Sequence, residues 1–156
     1  MASTVLNGLD EIRGAVGAHL GYSEWLTIDQ HRVNLFAEAT GDHQWIHVDV
    51  ERAKDGPFGG PIAHGYLTLS LLPMLSQGRK GVKIQLGGKM GVNYGLNKVR
   101  FTSPVRVGKR IRVRTTLLAV DEIGDKAVQM TNLNTIEIEG EDRPACVAET
   151  LGRTYF

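Results

Sequence analysis

The sequence of 156 residues contains a single cysteine, Cys146. One cysteine excludes an intrachain disulfide framework and a zinc site built from several cysteines, and it is typical of proteins in a reducing compartment. The N-terminus, Met1 to Leu9, also lacks the basic segment and the continuous apolar run of a secretory signal. These absences predict a cytoplasmic protein.

Neither sign of charge predominates, because 18 Lys and Arg stand against 17 Asp and Glu, for a formal net charge of +1. A chain so nearly neutral has no overall field that would draw it to nucleic acid or to an anionic membrane. The sequence therefore predicts neither as a partner. An anionic ligand would have to be met by a local cluster of basic residues.

Long hydrophobic runs are also absent. The most apolar stretch, Tyr66 to Leu75, is broken by Thr68, Ser70 and Pro73, and it is about half the roughly twenty residues that a membrane span needs. Apolar residues still make up 42% of the chain, which is enough for a buried core. We therefore expect one soluble domain over residues 1–156, with its core at about 20–155.

Helical signals occupy the first half of the chain. Thr27 and Gln30 have the spacing of a capping box, which predicts a helix from Ile28 to Ala39 that ends at Gly41. Asp49 is placed to cap a short helical turn, Val50 to Lys54.

A glycine- and proline-rich loop, residues 55–61, follows. After the loop, residues from His64 to Ser76 predict a second helix. Its apolar residues fall on nearly every face, so we expect other elements to enclose it.

Strand signals dominate the second half. Residues 110–117 alternate between apolar or small residues, at Ile111, Val113, Thr115 and Leu117, and polar ones. This alternation predicts a strand with one face exposed to solvent. Gly124-Asp125 is typical of a hairpin turn. Further strands are expected near Trp25 and at residues 93–101, 127–139 and 145–155. The pattern predicts an α+β fold in which four or five mostly antiparallel strands curl around one long buried helix.

The segment after Gly41 carries the chemistry. Asp42 and His47 lie five residues apart in a chain that must turn sharply, so both side chains can converge on one small volume. A carboxylate and an imidazole that share a water form a standard acid/base pair near neutral pH. An Asp after a helix end is also a common turn residue, and a His there often only binds backbone carbonyls. Spacing alone leaves both interpretations open.

Three blocks together resemble a known family: Phe36 to Asp42 with His47, then Pro61 to Leu67, then Val99 to Gly108. In order and spacing they are similar to the MaoC-like dehydratases, the R-specific enoyl-CoA hydratases of the hotdog fold. The resemblance covers about residues 20–155. The family usually has Asn-Pro where this chain has Gln44-Trp45.

The resemblance implies an activity and a site. Asp42 and His47 would hold the water that adds across a trans-2-enoyl thioester, giving a 3R-hydroxyacyl product. The thioester would be carried by coenzyme A or by an acyl carrier protein. The resemblance also implies a homodimer with one sheet continuing across both subunits, and unpaired edges of a small sheet favour the same arrangement.

Gly65 stands in the first turn of the second predicted helix, where its N–H lacks an intrahelical partner. That N–H could bind the carbonyl oxygen of a thioester as negative charge develops, or Gly65 could merely let the loop enter the helix. We expect His64 to be structural.

Other sites are less well supported. Asp42, Asp49, His43, His47 and His64 could be grouped as metal ligands, but His43 and His47 do not lie on a predicted helix and no paired cysteine supports the site. We expect no metal and no cofactor beyond the coenzyme A of the substrate. The basic residues Lys98, Arg100, Arg106, Lys109 and Arg110 are unassigned candidates for its phosphates. Two alternatives to hydration remain: an acyl-CoA thioesterase, and a non-catalytic domain that binds acyl thioesters.

Overall fold

The computed structural model describes residues 3–156. The helices are α1 Gly8–Gly14, α2 Gln30–Thr40, α3 Trp45–Val48, α4 Val50–Lys54, α5 Gly65–Ser70 and α6 Leu72–Gln77. The strands are β1 Val5–Asn7, β2 His19–Tyr22, β3 Leu26–Thr27, β4 Lys80–Gly81, β5 Lys83–Gln85, β6 Met90–Phe101, β7 Arg110–Ile123, β8 Ala127–Ile138 and β9 Cys146–Tyr155.

Seven strands form one antiparallel sheet in the order β4-β2-β7-β8-β9-β6, and β3 pairs with β7 beside β2. β1 and β5 form a separate parallel pair. The α+β class and the curled antiparallel sheet are thus confirmed, whereas the expected count of four or five strands was too low. The missed strands are two to four residues long, too short for an alternating pattern to show.

The long strands agree well with the sequence. In β7, Ile111, Val113, Thr115 and Leu117 are all buried. Gly124 has a φ of +59° in the turn that joins β7 to β8, where Ile123 pairs with Ala127. Positive φ is the conformation that glycine adopts without steric cost, so the predicted hairpin is confirmed.

The expected single long helix is wrong in two respects. It is divided into α5 and α6, because Pro73 has no N–H and its ring excludes the carbonyl of the residue four positions before it. It is also not enclosed on every face within one chain. Leu67, Leu71, Leu72 and Leu75 pack into the core against the sheet, but Tyr66 is 69% exposed.

Three helix caps fix the segment that carries the site. α2 begins after Asp29, whose carboxylate accepts a hydrogen bond from the backbone N–H of Arg32 at 2.8 Å. Thr27 lies in β3 instead, so the predicted capping box was wrong. Gly41 ends α2 with a φ of +79°, as predicted. Asp49 caps α4 through the N–H of Arg52, also as predicted.

A smaller core that the sequence did not reveal lies at the N-terminal end. Ile12 of α1 packs with Leu20 of β2 and Leu117 of β7, and all three are buried. Among the helices of residues 3–156, none has both the length and the apolar character to cross a bilayer.

Candidate active site

Two segments meet to form the candidate site: residues 41–47, which run from the end of α2 into α3, and residues 62–65, which lead into the start of α5. The N–H of Ile62 donates to the carbonyl of Ile46 at 3.0 Å. Gln30 of α2 donates its side-chain amide to the carbonyl of His47 at 2.8 Å. These hydrogen bonds connect α2 and the two segments to one another.

His47 is buried, with 6% of its surface exposed. Its Nδ1 lies 2.7 Å from the carbonyl oxygen of Ile62. A carbonyl only accepts, so Nδ1 carries the hydrogen, and Nε2 of the neutral ring is left with a free lone pair. Burial lowers the pKa of His47; the neighbouring His64 acts in the same direction, while the Ile62 carbonyl and the Asp42 carboxylate oppose it. His47 is therefore neutral at pH 7, with Nε2 able to accept a proton.

Asp42 is exposed, and its carboxylate accepts a hydrogen bond from the backbone N–H of Gln44 at 3.3 Å. This is the turn contact that the sequence left open. The same side chain also belongs to a cluster with His47 and His64, in which one donor atom of each residue lies within 4.8 Å of the others. The structure therefore brings Asp42 and His47 together.

His64 supports both members of that pair. It is 2% exposed, its ring stacks on the His47 ring with a centroid distance of 3.9 Å, and its Nε2 donates to the backbone carbonyl of Asp42 at 2.9 Å. The expectation of a structural His agrees with these contacts. His64 Nδ1 is buried without a hydrogen-bond partner.

Gly65 opens α5 directly after His64. A Cβ atom at this position would lie 2.8 Å from the Phe101 ring, so a larger residue would force that ring to move. Gly65, Phe101 and His47 line the same cavity of about 290 Å³, together with Thr68 of α5. The backbone at Gly65 thus faces the space that His47 faces.

Among residues 3–156, a possible metal-ligand cluster consists of Asp42, His47 and His64. His43 lies elsewhere, with its ring 3.6 Å from Glu38, and Asp49 caps α4. Each clustered histidine binds a backbone carbonyl through one ring nitrogen, as metal-binding histidines also do. The expected absence of a metal therefore stays a prediction.

The Gln44-Trp45 pair starts α3. Gln44 precedes the helix and Trp45 is its first residue. The Arg52 guanidinium lies 4.2 Å from the centroid of the Trp45 ring system, and Gly56 packs so closely on this ring that a Cβ there would lie 3.0 Å from it. Trp45 thus joins α3 to α4.

The basic cluster is divided by the fold. Arg110 pairs with Glu139, and Lys109 lies 3.7 Å from Glu141. Within residues 3–156, Lys98, Arg100 and Arg106 have no carboxylate partner within 4.0 Å. Of the five residues proposed from the sequence, these three are the ones not paired with a carboxylate.

Sequence reasoning missed several groups. The Ile62 carbonyl that orients His47 left no signal, because every residue has a carbonyl. Thr68 and Phe101 line the site cavity, but their residue types are equally typical of a core. The isolated Ile62–Arg106 bridge joins the loop before α5 to the segment between β6 and β7, a long-range contact that local sequence patterns do not show.

Comparison with known proteins identifies relatives. The sequence model of the MaoC like domain matches residues 11–138. A 3-hydroxyacyl-thioester dehydratase Z from Mycobacterium tuberculosis is 54% identical over 143 residues, 92% of this chain and 93% of the relative. Nodulation protein N of Rhizobium leguminosarum bv. viciae is 48% identical over 150 residues, 95% and 91% of the two chains.

Among solved structures, the (R)-hydratase from A. caviae involved in PHA biosynthesis superposes with a TM-score of 0.67 and 27% identity, covering 88% of this chain and 94% of the other. The matched domain spans most of the chain, and the relatives match nearly end to end. The chain therefore belongs to the MaoC-like dehydratase family and is an enzyme of the hydro-lyase class.

Proposed function

We propose that this enzyme reversibly hydrates trans-2-enoyl thioesters to 3R-hydroxyacyl thioesters, with Asp42 and His47 as the acid/base pair. The observation that carries the proposal is the convergence of the Asp42 carboxylate with the His47 ring within 4.8 Å. The names of the relatives, a 3-hydroxyacyl-thioester dehydratase and an (R)-hydratase, support the substrate and the stereochemistry.

The reaction follows from the hydrogen-bonding capacity of the pair. The Asp42 carboxylate and Nε2 of neutral His47 are both acceptors, so a water between them donates both hydrogens and turns a lone pair outward. That oxygen forms a bond to the β carbon as the double bond shifts its electrons toward the thioester carbonyl. The pair takes one proton from the water and returns a proton to the α carbon. Dehydration is the reverse.

In this mechanism the Gly65 N–H binds the thioester oxygen while enolate charge develops. The close approach of Phe101 explains why glycine is needed there. Removing a donor of this kind typically costs about 3 kcal/mol of transition-state stabilisation.

The remaining groups act on the carrier. Lys98, Arg100 and Arg106, which have no carboxylate partner in residues 3–156, would bind the phosphates of coenzyme A or of an acyl carrier protein's prosthetic arm. We propose that no metal or further cofactor takes part and that the enzyme is a homodimer.

Incubation with trans-2-butenoyl-CoA tests the function. The double bond and the free thiol are followed together, and the product is resolved on a chiral column. Loss of the conjugated double bond without thiol release, giving the 3R product, is the expected result. Thiol release would indicate a thioesterase, and tight binding without reaction would indicate a non-catalytic acyl-thioester domain. A 3S product would contradict the stereochemistry.

A further inference from the structure

A second, larger cavity lies away from the acid/base pair. It has a volume of about 590 Å³ and lies between the α5-α6 segment and strands β6 to β9. One part of its wall is apolar and includes Leu69, Leu72 and Leu151. Another part is polar, and this polar part is unusual for a cavity that would hold a hydrocarbon chain.

Arg79, which follows α6, is the one charged residue among those lining the cavity in the described chain. Its Nη2 donates to the carbonyl of Val82 at 3.1 Å, while its Nε is buried without a partner. Within residues 3–156, no carboxylate lies within 4.0 Å of it. A partly buried cation with an unused N–H is costly unless an anion meets it.

Two other residues that line the cavity, Thr150 and Asn132, add hydrogen-bonding capacity. Asn134 is satisfied, because it accepts from Thr115 and donates to the hydroxyl oxygen of Thr150, each at 2.8 Å. Thr150 keeps its own hydroxyl hydrogen for another acceptor. The Oδ1 of Asn132 is buried without a partner, and a half-turn of this amide presents Nδ2 as a further donor.

The cavity is positioned to receive the far end of a substrate. Phe101 and Cys146 pair near the acid/base site, whereas Leu96 and Thr150 pair beside this cavity. The four residues from Cys146 to Thr150 span about 13 Å of strand. An acyl chain of about that length, extended from the site along α5, would place its distal end in the cavity that Arg79 lines.

Resting on the function proposed above, we propose that this cavity selects acyl thioesters whose distal end carries a carboxylate, and that Arg79 is the specificity-determining residue. A plain alkyl end would leave the Arg79 guanidinium without an anionic partner, whereas a carboxylate could accept from Arg79 and from the Thr150 hydroxyl, which line the same cavity. A second copy joined along β6 brings no carboxylate from that strand, because residues 90–101 contain no Asp or Glu.

The experiment compares trans-2-decenoyl-CoA with its ω-hydroxy and ω-carboxy counterparts. We expect the wild-type kcat/KM to be at least about tenfold higher for the ω-carboxy substrate than for the other two, since a site built for a polar group rejects analogues that lack it. Arg79→Met should abolish that preference, and Arg79→Lys should retain part of it. Arg143→Met, at an exposed arginine outside the cavity, serves as the control and should retain it fully. Equal rates for the three substrates, a preference for the alkyl or hydroxyl end, or an unchanged preference in Arg79→Met would overturn the proposal.

A binding measurement separates this proposal from the hydratase activity. Saturated decanoyl-CoA and its ω-carboxy counterpart do not react, so calorimetric titration reports selectivity without turnover. We expect about tenfold tighter binding of the ω-carboxy thioester, lost in Arg79→Met. If that selectivity is absent while trans-2-butenoyl-CoA is hydrated, the cavity proposal alone fails. If selectivity is present without any hydration, the activity alone fails. Equal binding of free decanedioate, without the coenzyme, would indicate an effector site and overturn the assignment to the substrate chain.

Discussion

The ring of His64 lies against the ring of His47 with centroids 3.9 Å apart and planes inclined by 26°. Through its Nε2–H, His64 also binds the backbone carbonyl of Asp42. One buried side chain thus contacts both members of the proposed acid/base pair.

Asp42→Asn should lower kcat by roughly two to four orders of magnitude, because the amide cannot take a proton. Asparagine keeps the acceptor for the Gln44 N–H, so Tm should hardly change. His47→Gln should have a similar effect on kcat, and the double variant should be little worse than either, since both groups act on one water. Steady-state kinetics and thermal melts check this. A folded Asp42→Asn variant that keeps more than about a tenth of the wild-type kcat would contradict the mechanism.

His64→Phe and His64→Gln form a matched pair. Phenylalanine keeps the stacked ring but removes the N–H that binds Asp42, whereas glutamine keeps a donor and loses the stack. If the donor positions Asp42, His64→Phe should lose about tenfold or more in kcat with little change in KM, and His64→Gln should recover part of it. Equal kcat losses in both variants would instead indicate a packing role only.

The pH dependence follows from His47. Its pKa is lowered in the folded protein, mainly by burial, so the unfolded state binds more protons near the ordinary His pKa. Its contribution to the free energy of unfolding is therefore complete above about pH 6.5 and is lost as the pH falls toward the lowered value. The acid limb of kcat should lie below pH 6.5 for the same reason. An acid limb above pH 6.5 that disappears in His47→Gln would disagree with this assignment.

Strand β6 ends the sheet, and in residues 3–156 it pairs only with β9. Val92 and Tyr94 on this strand are exposed, and an unpaired edge of such length favours pairing with a second chain. Sedimentation velocity should show a homodimer. Val92→Glu should shift it toward monomer, while Leu35→Glu, at an exposed apolar residue of α2, should not. A wild-type monomer at micromolar concentration would refute the prediction.

Exhaustive chelation should leave the activity unchanged, because the proposed chemistry needs only a water, Asp42, His47 and backbone donors. Activity before and after dialysis against a chelator, with a metal analysis of the protein, checks this. Recovery of lost activity on adding zinc or iron would mean that the Asp42, His47 and His64 cluster holds a metal.

The sequence was informative wherever a local rule decides the structure. Gly41 ends α2 because it alone there adopts positive φ without strain, and the alternation in β7 followed from its one buried face. The motif blocks also predicted the family. The capping prediction at Thr27 was wrong because Asp29, two residues later, is an equally good N-cap. Thr27 pairs with Arg110 in the sheet, so the helix begins after Asp29 instead.

Only the tertiary structure determined the contacts between residues far apart in the chain. The Ile62 carbonyl that orients His47 is 15 residues away, and His64 is 22 residues from the Asp42 carbonyl that it binds. Arg79 gave no sequence signal, since an arginine after a helix is usually exposed. In the fold its Nε is buried, and Arg79 lines the same cavity as Asn132 and Thr150. Local spacing determines which side chains are present near a turn, whereas burial and the tautomer of His47 depend on what the fold packs against them.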